Sequence, residues 1–426
     1  MGIAPSMTHH RLSARLAISI MVLVSGLSEA WGGGQYPYDI PVLVEKYWSA
    51  WAHAKVCEDQ NALKLSPVEI LEKVRLSRSP PEKLAWHTPP QFRQLKCWKP
   101  KKEADFSIKL PTDAAVTGSY TGKHVGIADP IAENFIVAPL RLYDENTTTL
   151  KANAYQPVID FLMRAAREKA LSKNNRVPWG QKPMEFPVMQ AVFPMVVAYA
   201  AVFDELSPEE RKVIHAWLAP LVETALNSRW SVGPDGKILY RDSLGAFWGR
   251  ITGNRALVER AKTTYKFHID FMRKDGTFGF ASSRGGSAGH YTISATAALI
   301  FIAAMDAMDG GDLFSYSKDG RSIHDSVRYL LDFSQDPVGV NARYAKPCTG
   351  ASMGTMAHPS EELLESDVVS GFSFTAMRLY ALFNPDNPNT KRWRKILPGQ
   401  SQPYAVWDTV YGSFACYLAG TQPKWE

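Results

Sequence analysis

Cysteine is scarce: only Cys57, Cys97, Cys348 and Cys416 occur in 426 residues. No two share a C-x-x-C spacing, which excludes a cysteine-built zinc or redox centre. Charge of one sign is not concentrated either. Lys and Arg outnumber Asp and Glu by 48 to 42, but they are scattered rather than gathered into a long run, so nucleic acid is not the expected partner. Strand signals are sparse, which argues against a sandwich or barrel. No 34- or 40-residue motif repeats, which argues against an open solenoid. Beyond the first thirty residues nothing reads as a membrane span.

What is there begins with Arg11 and Arg15, the apolar run Leu16 to Leu27, and a small-x-small ending at Ser28-Glu29-Ala30. Together these form a secretory signal. The mature chain is expected to start near Trp31 and to work in the periplasm or outside the cell, without stable membrane insertion. Losing Arg11, Arg15 and Glu29 changes the net charge from +6 to +5. With a pI near 8.9, such a protein attracts polyanions, and for an exported protein the fitting polyanion is an acidic polysaccharide. Export also favours two disulfides. Four cysteines allow three pairings, and proximity in sequence suggests Cys57 with Cys97 and Cys348 with Cys416, each worth ~2–4 kcal/mol.

Helical periodicity dominates the rest. Residues 31–426 are expected as one domain, in which residues 31–139 are irregular and helical and residues 140–426 form the helical body. Helices are expected at Pro41–Val56, from Ser66, at Pro157–Ser172, Phe186–Phe203, from Ser207, at Arg241–Thr252, Arg255–Met272, from about Ser287, and at Ile323–Phe333, Ser370–Phe383 and Val406–Leu418. Ser207-Pro208-Glu209-Glu210 is a capping-box pattern, and Gly253-Asn254 joins two helices as a hairpin. Between Ser79 and Ala138 closely spaced prolines defeat any long element, leaving an irregular wrapping segment. Helical hairpins without a repeat motif imply an all-α fold, a closed or nearly closed ring of antiparallel helix pairs, the α/α toroid.

The chemistry concentrates in Arg273–Met308, where Asp275-Gly276 marks a turn, Gly279, Gly285, Gly286 and Gly289 allow close backbone approach, and Arg284, His290 and Tyr291 precede a long apolar helix. A Tyr anchored at a helix start yet open to a loop is mounted as catalytic groups are. If the acidic polysaccharide is a polyuronate cleaved by β-elimination, its carboxylate must be neutralised, with a base for the weakly acidic C5 proton and an acid for the leaving oxygen. Arg284 and His290 are suitable neutralisers, and Tyr291 beside a guanidinium suits both proton transfers. Arg241 is a further cation for the carboxylate, and Trp179 and Trp248 offer indole faces for sugar rings. His215 and His358 are expected to be structural. No cofactor or metal is required, and the chain is expected to be a monomer.

From about Leu218 to Pro337 the chain resembles the alginate lyases of polysaccharide lyase family 5. The likeness rests on TYKFHIDFMRKDG, a loop with an Arg, a Tyr seven positions later, and an apolar helix. It implies an incomplete α/α toroid, an elimination reaction, and Arg284 and Tyr291 in the catalytic Arg and Tyr positions. The family's Asn-Asn-His-x-Tyr-Trp motif has no copy here. Its nearest counterpart is Arg241-Asp242-Ser243 with Phe247-Trp248. Two other readings stay open: a periplasmic protein that binds exopolysaccharide without cleaving it, and a helical-ring glycoside hydrolase. The hydrolase needs paired carboxylates, and Asp204, Glu205, Asp242, Asp270 and Asp367 show no distinctive pairing.

Overall fold

The computed structural model describes residues 74–85, 96–97, 106–107, 109–113, 155–173, 185–227, 236–270, 272–282, 285–345, 376–396 and 424–425. The expected helices at 41–56, from 66 and at 406–418, the signal segment, and Cys57, Cys348 and Cys416 lie outside the described residues.

The first described helix, α1 (Gln156–Arg167), is amphipathic and buries Val158, Ile159, Phe161, Leu162, Ala165 and Ala166. It stops short of Ser172 because the chain turns. Lys169 and Leu171 take left-handed φ values of 52° and 58°, and the Leu171 amide bonds to the Pro111 carbonyl at 2.8 Å. α2 (Glu185–Val202) is almost wholly apolar. α3 (Pro208–Leu226) opens on the expected capping box, with Ser207 and Glu210 each accepting the other's backbone N–H, a device worth ~1 kcal/mol. α4 (Gly236–Thr252) and α5 (Arg255–Asp270) form the expected hairpin, which turns at Gly253 with φ 74°.

Beyond α6, a single turn at Gly279–Ser282, comes α7 (Ala288–Met308). Its apolar stretch is long enough to cross a membrane, but 83% of it is buried inside the protein, so burial accounts for its composition. α8 (Ile323–Gln335), α9 (Pro337–Tyr344), α10 (residues 376–383) and α11 (Pro388–Ile396) follow. The sequence reading did not anticipate α9 and α11, which are short.

The helices fall into two layers. α2, α4 and α7 are buried on nearly all sides and touch in succession, α2 on α4 and α4 on α7. Between them α3, α5 and α8 return outside, each packed on the inner helices that flank it in sequence or on the one before it. This in–out succession of hairpins is the α/α toroid. Phe193 on α2 ties the inner layer together, its ring centroid 5.5 Å from Tyr240 and 5.7 Å from Phe301, edge contacts that favour aromatic packing.

Strand structure among the described residues is marginal. β2 (Ser317–Lys318) and β3 (Arg321–Ser322) make a hairpin through Asp319 and Gly320, both at positive φ, as a two-residue hairpin turn requires. β1 (Lys96–Cys97) runs parallel to β4 (Lys424–Trp425), with Cys97 opposite Trp425. Residues 74–85, which straddle the start of the expected irregular segment at Ser79, run over the helices without helical structure of their own. Val74 is strapped to the end of α3 by two 2.8 Å bonds with Asn227, the Ser77 carbonyl meets His215, and the Ala85 amide bonds to Ile251.

Candidate active site

The loop before α7 is built from its turn outward. The amide of Gly276 bonds to the Arg273 carbonyl, and the Arg273 amide bonds to the Thr277 carbonyl, both at 2.9 Å. Asp275 accepts from the Thr277 amide at 2.9 Å and pairs with Arg273 at 3.0 Å. Gly276 is obligatory there: its φ is 86°, and a β-carbon would lie 2.3 Å from the Asp325 carbonyl oxygen. The expected turn is therefore real, and it is pressed against the start of α8.

At the loop's other end Gly285 also has positive φ, 55°. Its carbonyl accepts a 3.2 Å bond from Nδ2 of Asn341, a fully buried residue of α9. Gly285 to Ser287 form one 3-10 turn and α7 begins at Ala288, close to the expected start. Sequence reasoning missed Asn341. It stands fifty-six positions from its partner, and only the packing of α9 on α7 brings the two together.

His290 and Tyr291 occupy the first turn of α7 and meet edge to face, with ring centroids 5.3 Å apart. Tyr291 is half-buried against the main core, the anchored but accessible mounting expected of it. On the neighbouring face Thr292 bonds to Tyr329 of α8, whose phenol burial pushes above its ordinary pKa. Burial also pulls His290 down, from the usual imidazole value to about 4. At neutral pH His290 is therefore an uncharged imidazole that can donate or accept a proton but contributes no positive charge to a carboxylate. Of the two ways expected for it to serve a carboxylate, charge or hydrogen bonding, this leaves His290 the second.

Arg284 and Trp179 lie outside the described residues. Arg241 and Trp248 are each 1% exposed, so the structure contradicts the surface sugar-binding roles expected of them. Arg241 grips Asp242 through two bonds, Nε to Oδ1 at 2.8 Å and a terminal nitrogen to Oδ2 at 3.0 Å. Arg260 of α5 approaches the same carboxylate at 3.0 Å, and Thr264 donates to it at 2.5 Å. Burial raises the Asp242 pKa, but the two guanidiniums and these hydrogen bonds outweigh it and hold the carboxyl below its usual range. This is an α4–α5 clamp. Trp248 stacks on His215 at 5.2 Å. His215 is buried between the Tyr199 hydroxyl, 3.4 Å from Nδ1, and the Ser77 carbonyl, 3.1 Å from Nε2, a structural placement.

Among the described residues no group of His, Cys, Asp or Glu is arranged to hold a metal. A groove of about 630 Å³ opens between α1 and α3, lined among others by Lys169, Trp217 and Leu221. It contains none of the candidate residues.

Comparison with known proteins then places the central part of the chain. Residues 188–339 match the alginate lyase family. That segment runs from early in α2 through α8 to the first residues of α9, with the turn, the glycine loop, His290 and Tyr291; Asn341 lies just beyond it. A curated protein from Stenotrophomonas maltophilia (strain K279a), described as a polysaccharide lyase, is 28% identical over 151 residues. The match covers 34% of this chain and 44% of that protein, so the chain spans less than half the length of this relative. A crystal structure of an alginate lyase from Bacteroides ovatus superimposes with a TM-score of 0.50 at 14% identity, covering 88% of this chain and 98% of the other. Alginate lyase A1-III from Sphingomonas species A1 aligns less closely, at a TM-score of 0.45 and 15% identity over 68% of this chain and 80% of its own. The Bacteroides likeness bears on the fold, and the α/α toroid agrees with it.

Proposed function

We propose that the protein is an exported polysaccharide lyase that cleaves a uronic-acid-containing polymer, such as alginate or a related exopolysaccharide, by β-elimination. The observation that carries this is Tyr291: a half-buried phenol on the first turn of the central helix, set against His290, at the end of a glycine loop inside the alginate lyase segment. Tyr291 takes the C5 proton and returns one to the leaving 4-oxygen. The electron pair left at C5 forms the C4–C5 double bond as the C4–O bond breaks. Arg284 neutralises the carboxylate, which makes the C5 proton removable. His290, uncharged, orients that carboxylate by hydrogen bonding or stands by as a second proton acceptor. The buried Arg241–Asp242–Arg260 clamp joins α4 to α5 and takes no part in neutralisation.

Residues 31–426 act, on this reading, as one monomeric unit after signal removal, needing no cofactor or metal. Incubation with polymannuronate, polyguluronate, polyglucuronate and a native exopolysaccharide tests the reaction. A lyase yields a product that absorbs ultraviolet light at its new double bond. New reducing ends without absorbance would identify a hydrolase, and retention of polymer without either product would identify a binding protein. The missing Asn-Asn-His motif is what keeps that last outcome worth measuring.

A further inference from the structure

We infer that α11 is an accessory binding surface for acidic polysaccharide, separate from the reacting centre. This rests on the reading of the substrate as a polyuronate. α11 (Pro388–Ile396) carries Lys391, Arg392, Arg394 and Lys395 within five positions. They do not all do the same thing. Arg392 turns inward and pairs with Asp332 at 2.5 Å, and it also donates to Gln335 of α8. Thr390 is fully buried and donates to the Asn384 carbonyl at 2.7 Å. Asn389 donates to the His324 carbonyl at 2.8 Å. Trp393 packs on the core. These contacts fix the helix by one face.

The opposite face holds Lys391, Arg394 and Lys395, all exposed. Positions i, i+3 and i+4 share one side of a helix, so the three charges form a short stripe pointing outward. No carboxylate pairs with any of them among the described residues, whereas Arg392 one position away is neutralised. Three like charges held together without acidic partners cost repulsion, which a polyanion relieves. A chain bearing a carboxylate on every sugar presents such a repeating anion.

The placement favours the substrate polymer over an unrelated anion. The C-terminal end of α8 is the common neighbour of both surfaces. Phe333 lies beneath Gly289 at the start of α7, next to His290 and Tyr291, while Asp332 and Gln335 are held by Arg392. On this inference a polymer engaged at Tyr291 and long enough to pass the α8 end meets α11 next, and a short oligomer does not.

The test is the triple variant Lys391→Gln, Arg394→Gln, Lys395→Gln in the full mature chain. These side chains are exposed, so folding is expected to survive, and an unchanged Tm checks it. Retention on immobilised polymannuronate and polyglucuronate should weaken roughly tenfold and lose part of its salt dependence. If the chain is a lyase, KM for long polymer should rise while turnover of a tetrasaccharide stays as in wild type. Unchanged retention with an unchanged salt profile overturns the inference, as does failure of the wild type to bind either polymer. Binding to phosphatidylglycerol vesicles that the triple variant loses, with polymer retention unaffected, also overturns it, in favour of a membrane surface. Retention is measured on the Tyr291→Phe background as well. The accessory surface is thus judged by binding, whatever becomes of the elimination assay.

Discussion

Gly289 lies so close beneath the ring of Phe333 that a β-carbon would come within 2.3 Å of Cε2 and Cζ. The ring is itself stacked on Tyr329 and cannot swing aside freely, so the first turn of α7 is seated by a glycine. Gly289→Ala should destabilise the protein by ~1–3 kcal/mol through overpacking, or displace the turn that carries His290 and Tyr291. Thermal unfolding and elimination rate check this together. A variant with unchanged Tm and unchanged rate would show that the seat is looser than it stands here. Adding Phe333→Leu, which makes room, should recover part of the loss.

Tyr291→Phe should reduce elimination to near the detection limit while leaving Tm and polymer binding almost unchanged. The ring that packs on the core stays, and only the hydroxyl leaves. Each general acid or base role contributes ~10²–10⁴-fold, and Tyr291 is assigned both. Residual activity above about a tenth of wild type, far short of that loss, would remove it as the proton carrier and move His290 to that place.

His290 gives a pH signature. Its folded pKa is depressed to about 4 from an ordinary 6.5, so the neutral ring predominates at every pH above about 4. The limb of kcat/KM that reports His290 should therefore fall on the acid side near 4, not near 6.5, and His290→Gln should abolish that limb. Stability follows the same sign. The folded state binds this proton less readily than the unfolded chain, so its contribution is complete above 6.5 and is lost as pH falls from there toward 4. His215, also lowered by burial, adds to the same acid loss. An acid limb near 6.5 would mean that the imidazole is solvated.

Asp242→Ala should be far more damaging than its distance from the chemistry suggests. It leaves Arg241 and Arg260 buried without the carboxylate they share, and breaking a buried pair on one side costs ~3–5 kcal/mol. Arg241→Met should lower Tm without changing KM. A raised KM at unchanged Tm would return Arg241 to the substrate.

Asn341→Ala removes the bond to the Gly285 carbonyl, worth ~1 kcal/mol, and frees the loop that leads from Arg284 to Tyr291. The expected result is a small drop in Tm with a larger drop in turnover. Equal modest effects on both would mark Asn341 as ordinary core.

Much of this was legible along the chain because it is local. The Ser207 capping box, the Gly253 hinge, the Asp275-Gly276 turn and the start of α7 each depend on a few consecutive residues, and each was read within a position or two. Arg241 and Trp248 misled because helix α4 is buried on nearly all sides. Such a helix has no amphipathic pattern to show which residues face inward, and a charged residue in it invites a functional reading. Its partner is Asp242 beside it, and that the carboxylate is shared with Arg260 becomes evident only when α4 and α5 pack. Asn341 and the α11 stripe escaped for related reasons, since one reaches its partner only when α9 packs on α7 and the other sits on a helix only nine residues long.

The pairing of Lys96–Cys97 with Lys424–Trp425 sets a constraint on when this protein can finish folding. Every described helix lies between the two strands in the chain, so their ladder cannot close until all of them have been synthesised. Non-local pairing of this kind forms late and slowly, whereas the inner hairpins can assemble from neighbours as they emerge. On the way to its final state the chain therefore passes through a stage in which the helical layers are packed and the β1–β4 ladder is still open.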